Sequence, residues 1–274
     1  MPFIETSADV NIYYEESGVG RPLVMLHGWS GSGRVWRFQQ ELSAGSRLII
    51  PDLRGHGRST APPGGSLLAD LADDIVSLFD QLELTDAVLL GWSLGSQVAL
   101  AVFPKLKERL AGVILVGATP RFTATEGYPY GLPATAPRGM GLRLNKAFNR
   151  TMEEFFRGMF AEGELSHEQE NRINREIAWE GSLPEPTVAH ATLDILALTD
   201  LRDKLPAIDR PVLLIHGSAD TICPPGAARF LAEQLPDARL VELDGPGHAP
   251  FLSRPDEFNA ILRKFLQEEV YGRN

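Results

Sequence analysis

A single cysteine, Cys223, occurs among 274 residues, so no intrachain disulfide can form. A chain of this length buries a core large enough to fold without covalent staples, and the sparse cysteine fits a reducing compartment. No apolar run approaches the roughly 18 residues needed to span a bilayer. Nothing near the start combines basic residues, a long apolar stretch and a small-residue cleavage site. The expected location is therefore cytoplasmic, with no membrane association. Lys and Arg number 26 against 36 Asp and Glu, a net charge of −10, which argues against general nucleic-acid binding. Gly31-Ser32-Gly33 is followed by Trp36 where a dinucleotide fingerprint requires glycine, and no Walker A sequence occurs. No cluster of His, Cys, Asp or Glu has metal-ligand spacing, and one cysteine cannot build a thiolate zinc site. Neither a metal nor a cofactor is expected.

What is present is an ordinary globular composition, 43% hydrophobic and 23% charged. Short apolar runs recur at Leu23–Leu26, Leu48–Ile50, Ala87–Leu90, Val113–Val116, Val212–Ile215 and Arg239–Leu243. Most are continuous rather than alternating, as in parallel strands covered on both faces. Helical patterns lie between them, at Leu67–Leu82, Ala227–Gln234 and Pro255–Glu268. This alternation predicts an α/β fold with a mostly parallel, doubly wound sheet. The alternation stops between about Pro120 and Leu193. A Gly/Pro-rich passage, Gly127–Gly141, is followed by helical patterns near Asn145–Ala161, Ser166–Glu180 and Pro186–Thr199. The expectation is a helical cap, residues 120–193, inserted into a core of residues 1–119 and 194–274. The aromatics Phe148, Phe155, Phe156, Phe160 and Trp179 favour a packed cap over a disordered one.

The most informative stretch is Gly91-Trp92-Ser93-Leu94-Gly95, preceded by an apolar strand pattern and followed by a helix-compatible one. A chain that leaves a strand, turns sharply at a serine and enters a helix presents the hydroxyl beside a helix N-terminus. Two glycines let the backbones crowd there. The pattern resembles the nucleophile elbow of α/β-hydrolases, in which the acid and then the histidine follow the serine along the chain. A serine needs an adjacent base, and His248, in Gly247-His248-Ala249-Pro250-Phe251, lies after the last strand pattern. Asp220 follows the Val212–Ile215 run and is the expected acid. Asp194, Asp200 and Asp244 are the weaker alternatives. An oxyanion hole needs two converging N–H groups, expected from Leu94 and from Trp29 in His27-Gly28-Trp29. His27, His56 and His216 read as structural, His167 and His190 as cap residues, and Cys223 as a bystander.

With these motifs in the superfamily's order, the chain resembles the α/β-hydrolases over nearly its whole length. Asp52-Leu53-Arg54-Gly55-His56-Gly57-Arg58-Ser59 adds to the match. A narrower resemblance is to the pimeloyl-[acyl-carrier protein] methyl ester esterases of biotin synthesis. It rests on the serine and histidine motifs, on Pro255-Asp256-Glu257-Phe258 and on Leu196–Arg202. One departure is Ser96, where that family often has a second glycine. The resemblance implies a serine carboxylesterase with Ser93, Asp220 and His248 as its triad. It further implies substrate contacts at Trp29 and at Phe155, Phe156, Arg157, Gly158 and Met159. An acidic acyl-carrier protein would need a basic entrance. Residues 121–150 hold Arg121, Arg138, Arg143, Lys146 and Arg150 against Glu126 alone; Arg138, Arg143 and Arg150 are the candidate carrier contacts, the alternative being that cap arginines pair with Glu153, Glu154, Glu168 and Glu170. The rival readings are another cap-bearing hydrolase (a short-chain esterase, an enol-lactonase or a C–C hydrolase) and, from a different class, a ligand receptor on the same fold. A serine rather than an aspartate at the elbow disfavours a haloalkane dehalogenase.

Overall fold

A computed structural model describes residues 2–7, 10–61, 66–177, 183–270 and 272. Trp179 and Glu180 lie outside the described residues. Eight strands form one sheet: β1 (Phe3–Ser7), β2 (Val10–Ser17), β3 (Pro22–Leu26), β4 (Arg47–Pro51), β5 (Ala87–Trp92), β6 (Leu110–Val116), β7 (Val212–Gly217) and β8 (Ala238–Leu243). Their order is β1-β2-β4-β3-β5-β6-β7-β8. β2 runs antiparallel to β1 and β4, and every other pairing is parallel.

The continuous apolar runs form the centre of this sheet for a simple reason. Successive strand residues point to opposite faces, so a strand buried along its whole length must be covered on both. All of β5 and all of β7 are buried in this way. Helices α1 (Leu68–Gln81), α2 (Leu94–Leu106), α7 (Pro225–Gln234), α8 (Pro250–Ser253) and α9 (Pro255–Phe265) connect or follow the strands. The chain goes outward from β3 to β4 and returns to β5 on the other side of β3. The carboxyl ends of β3 and β5 therefore flank a switch point, where open α/β sheets place their ligands.

Among the described residues, four α-helices lie between β6 and β7: α3 (Ala136–Lys146), α4 (Phe148–Arg157), α5 (His167–Ile177) and α6 (Pro186–Leu198). The glycine and proline content from Gly127 to Gly141 reads as coil, yet α3 begins inside it. Pro137 falls in the first turn, where a missing N–H costs nothing. Gly139 and Gly141 sit within the helix, where packing against α4 and α6 overrides their poor propensity. A second element without a clear sequence signal is the irregular 3-10 segment Gly33–Ala44, kinked at Trp36. None of the described helices is long and apolar enough to cross a membrane.

Candidate active site

Ser93 joins β5 to α2 with φ 54° and ψ −115°, a conformation that non-glycine residues rarely adopt. Such a residue costs of order 1–3 kcal/mol and persists because its surroundings leave it no alternative. Those surroundings are visible. The Ser93 N–H donates to the Val116 carbonyl on β6 at 3.0 Å, and the Ser93 carbonyl accepts from Ser96 N–H at 2.9 Å. A Cβ on Gly91 would lie 2.3 Å from the Gly95 carbonyl oxygen, and one on Gly95 2.6 Å from the carbonyl oxygens of Leu26 and His27. The two glycines thus permit a crossing of backbones that would exclude any side chain. Leu94 is the first residue of α2, where N–H groups have no acceptor within the helix.

His248 lies in the loop between β8 and α8. Its Nδ1 donates to Asp220 Oδ2 at 2.7 Å, and both side chains are almost wholly buried. Because Asp220 only accepts when ionised, Nδ1 carries the proton and Nε2 keeps its lone pair. That Nε2 is buried and has no hydrogen-bond partner. Asp220 is held on every side. Its Oδ1 accepts the N–H groups of Ile222 and Cys223, each at 2.8 Å. His216 Nε2 lies 3.3 Å from Oδ2 and donates to the Cys223 carbonyl at 2.7 Å. Burial pushes the Asp220 carboxyl up, but the His248 and His216 rings outweigh it and hold it below the usual carboxylate range. Asp244 is exposed and accepts from Ser218, while Asp200 is committed to Arg121 and Arg202.

Trp29 follows β3 and is buried. Its indole N–H donates to the Ala189 carbonyl of α6 at 3.0 Å, and its ring meets Phe155 of α4 edge-on at 4.8 Å. The side chain therefore ties the turn after β3 to the helical insertion rather than stacking on Trp92. That turn is fixed from beneath by His27, whose Nδ1 donates to the Gly28 carbonyl and whose Nε2 accepts the Leu53 N–H. Asp52 binds Gly33 N–H and Arg58 N–H through its two oxygens. The Asp52–Ser59 motif is thus a brace for the His27–Trp29 turn.

The candidate substrate residues divide. Phe155 is half-buried beside Trp29; Phe156 and Met159 are buried, and Arg157 and Gly158 are exposed. Among the basic residues, Arg138 and Arg143 are exposed on α3, with Arg143 reaching Met140 Sδ at 3.5 Å. Arg150 pairs with Glu154 one helical turn away at 2.9 Å. No group of three or more His, Cys, Asp or Glu among the described residues is placed to hold a metal ion.

Three residues around the acid and histidine go beyond the sequence reading, which takes His216 as structural and Cys223 as a bystander and does not name Glu164. His216 presses on the acid. Cys223, whose buried thiol is pushed up in pKa, serves through its backbone N–H and carbonyl. Glu164, in the loop between α4 and α5, accepts the N–H groups of Ala161 at 2.6 Å and Gly247 at 2.8 Å. Polar ends on strand and loop residues are the only hint of them in the sequence.

Strand order, elbow and histidine loop together define a hydrolase class, and a family model for the alpha/beta hydrolase fold matches residues 21–255. The chain belongs to that family. Its curated relatives include the pimeloyl-[acyl-carrier protein] methyl ester esterase of Nitrosospira multiformis, 34% identical over 94% of this chain and 99% of the relative. The protein of the same name from Nitrosomonas europaea is 36% identical over 90% of this chain and 96% of its own. Among solved structures, an esterase from Exiguobacterium antarcticum superposes with a TM-score of 0.88 at 30% identity, covering 97% of this chain and 98% of the other.

Proposed function

We propose that the chain is a serine carboxylesterase that hydrolyses the methyl ester of pimeloyl-[acyl-carrier protein], releasing methanol, in biotin synthesis. The chemistry is carried by one observation: His248 bridges a buried, ionised Asp220 and offers a free Nε2 lone pair on the side of the sheet where Ser93 is strained into its turn. Ser93 Oγ attacks the ester carbonyl as His248 Nε2 takes its proton. The N–H groups of Leu94 and Trp29 stabilise the oxyanion. Asp220 stabilises the imidazolium. The tetrahedral intermediate collapses by breaking the bond to methoxide, which leaves as methanol with the proton from Nε2. Water, deprotonated by the same nitrogen, then cleaves the acyl-enzyme and returns the proton to Ser93.

Substrate identity is supported by the relatives that share one name across nearly full length. Residues 120–193 act in this reading as a cap, since Ser93 keeps only 7% of its surface exposed and must be reached through or beside the insertion. Phe155, Phe156, Arg157, Gly158 and Met159 supply the cap's side of the substrate path and Trp29 the core's. Arg138 and Arg143, flanking the exposed Leu142, form a basic and apolar face suited to an acidic carrier protein. Arg150 contributes less, being shared with Glu154. The test is methanol release from the carrier-linked pimeloyl methyl ester against short free esters. Higher kcat/KM on the carrier-linked ester supports the reading. Efficient turnover of the short esters alone overturns the substrate and leaves the esterase chemistry standing. R138E/R143E should raise KM for the carrier-linked ester more than for the free one.

A further inference from the structure

The position of the general base is not set by its own loop alone. Gly247 N–H donates to Glu164 Oε2, and the next N–H along, that of His248, donates to the Met159 carbonyl at 2.6 Å. A Cβ on Gly247 would sit 2.4 Å from that carbonyl oxygen, so the two backbones approach as closely as glycine allows. Glu164 Oε2 also accepts Ala161 N–H, which closes residues 161–164 into a turn around the carboxylate. One oxygen therefore holds both the segment after α4 and the residue before His248. Its other oxygen, Oε1, is buried without a partner. On the far side, the His248 carbonyl accepts the Trp92 indole N–H at 2.9 Å. The backbone of the base is thus suspended between the elbow strand and the helical insertion.

We infer that Glu164 is a positioning residue, a clasp that couples docking of the insertion to placement of the His248 ring. This rests on His248 acting as the base, as proposed above. Hydrogen bonds from N–H to a carboxylate are stronger than neutral ones, and two of them on one oxygen fix the loop in one register. With the clasp closed, Nδ1 reaches Asp220 and Nε2 is held for the serine. With it open, Gly247 loses its acceptor and the imidazole loses its fixed approach. Misplacement of a catalytic group by about 1 Å can cost roughly a hundredfold in rate, so the coupling has room to matter.

The experiment measures kcat and KM for p-nitrophenyl butyrate, with thermal midpoints, in the wild type, E164A, E164Q and E164D. The expected result is a fall in kcat of roughly ten- to a hundredfold in E164A at nearly unchanged KM. E164Q keeps an oxygen that can accept both N–H groups, so it should recover most of kcat. A role confined to stability would lower the midpoint and leave kcat of the folded protein intact. That outcome, or an E164Q as impaired as E164A, overturns the clasp. Should E164A fail to fold, E164D carries the test by withdrawing the carboxylate one methylene: a kcat fall at constant KM supports the clasp, and wild-type kcat overturns it. A wild type inert to the ester, and to a phosphonate that would trap Ser93, overturns the esterase reading itself and the clasp with it.

Discussion

Ser93 and His248 are held in opposite ways. Ser93 is placed by the sheet: strand β5 before it, helix α2 after it, glycines two positions away on each side, and the neighbouring strands through the Val116, Leu26 and His27 carbonyls. His248 is placed from afar. Asp220 is 28 residues away, Trp92 lies 156 residues back on the elbow strand, and Met159 and Glu164 belong to the insertion. Ser93 is over-determined by contacts within the core sheet. His248 hangs on contacts between the elbow strand and the helices that follow β6. If Ser93 and His248 act as proposed, the nucleophile is built by the core sheet, whereas the base depends also on the segment between β6 and β7.

The sharpest way to break the comparison is at the serine. Ser93→Ala should lower kcat by about ten-thousandfold or more and leave circular dichroism and thermal midpoint close to wild type. Asp220→Asn should lower kcat by roughly a thousandfold or more, because the amide no longer fixes Nδ1 as the protonated nitrogen. Unchanged kcat in either variant, measured by steady-state ester hydrolysis, would remove that residue from the mechanism. Gly91→Ala should cost ~3 kcal/mol in urea unfolding or prevent folding, since the new methyl meets the backbone of Gly95. A midpoint within error of wild type would show the elbow to be looser than described.

The pH dependence separates the brace from the chemistry. Burial lowers the pKa of His27 to about 4 and that of His56 to about 3, from 6.5. The unfolded chain therefore binds their protons first as pH falls. Stability is full above about pH 6.5 and is lost as pH falls towards 4, by roughly 3 kcal/mol for His27 alone. Asp220, held below the usual range, works in the same direction at still lower pH. Thermal midpoints should drop between pH 7.5 and 4.5; a flat profile would contradict the buried neutral assignment. The smallest effect is expected of Trp29→Phe, which forfeits the bond to Ala189 for ~1 kcal/mol in urea midpoint.

What could be read in the sequence follows the same division. The strand-turn-helix at Ser93 was legible because its causes are consecutive: an apolar run, glycines at fixed spacing, a helical pattern. The α/β architecture was legible because buried parallel strands must be continuously apolar, as β5 and β7 are. Residues His248 and Asp220 could be nominated from order and loop position, but their 2.7 Å contact could not. Glu164 was invisible, since a carboxylate gripping two N–H groups leaves no periodic trace, and His216 read as structural without its place beside the acid. α3 was obscured because Gly139 and Gly141 oppose a helix that tertiary packing nonetheless imposes. Of the arginines, composition announced a local excess; only the fold separates Arg150, paired along α4, from the exposed Arg138 and Arg143 of α3.

The most direct measurement is covalent trapping with an alkyl fluorophosphonate followed by peptide mass spectrometry. If Ser93 is an activated nucleophile in a site completed by His248 and Asp220, one adduct forms on the peptide carrying Ser93, quickly in the wild type and at a greatly reduced rate in His248→Ala. An adduct on another residue, or none at all on a folded protein, would contradict the account.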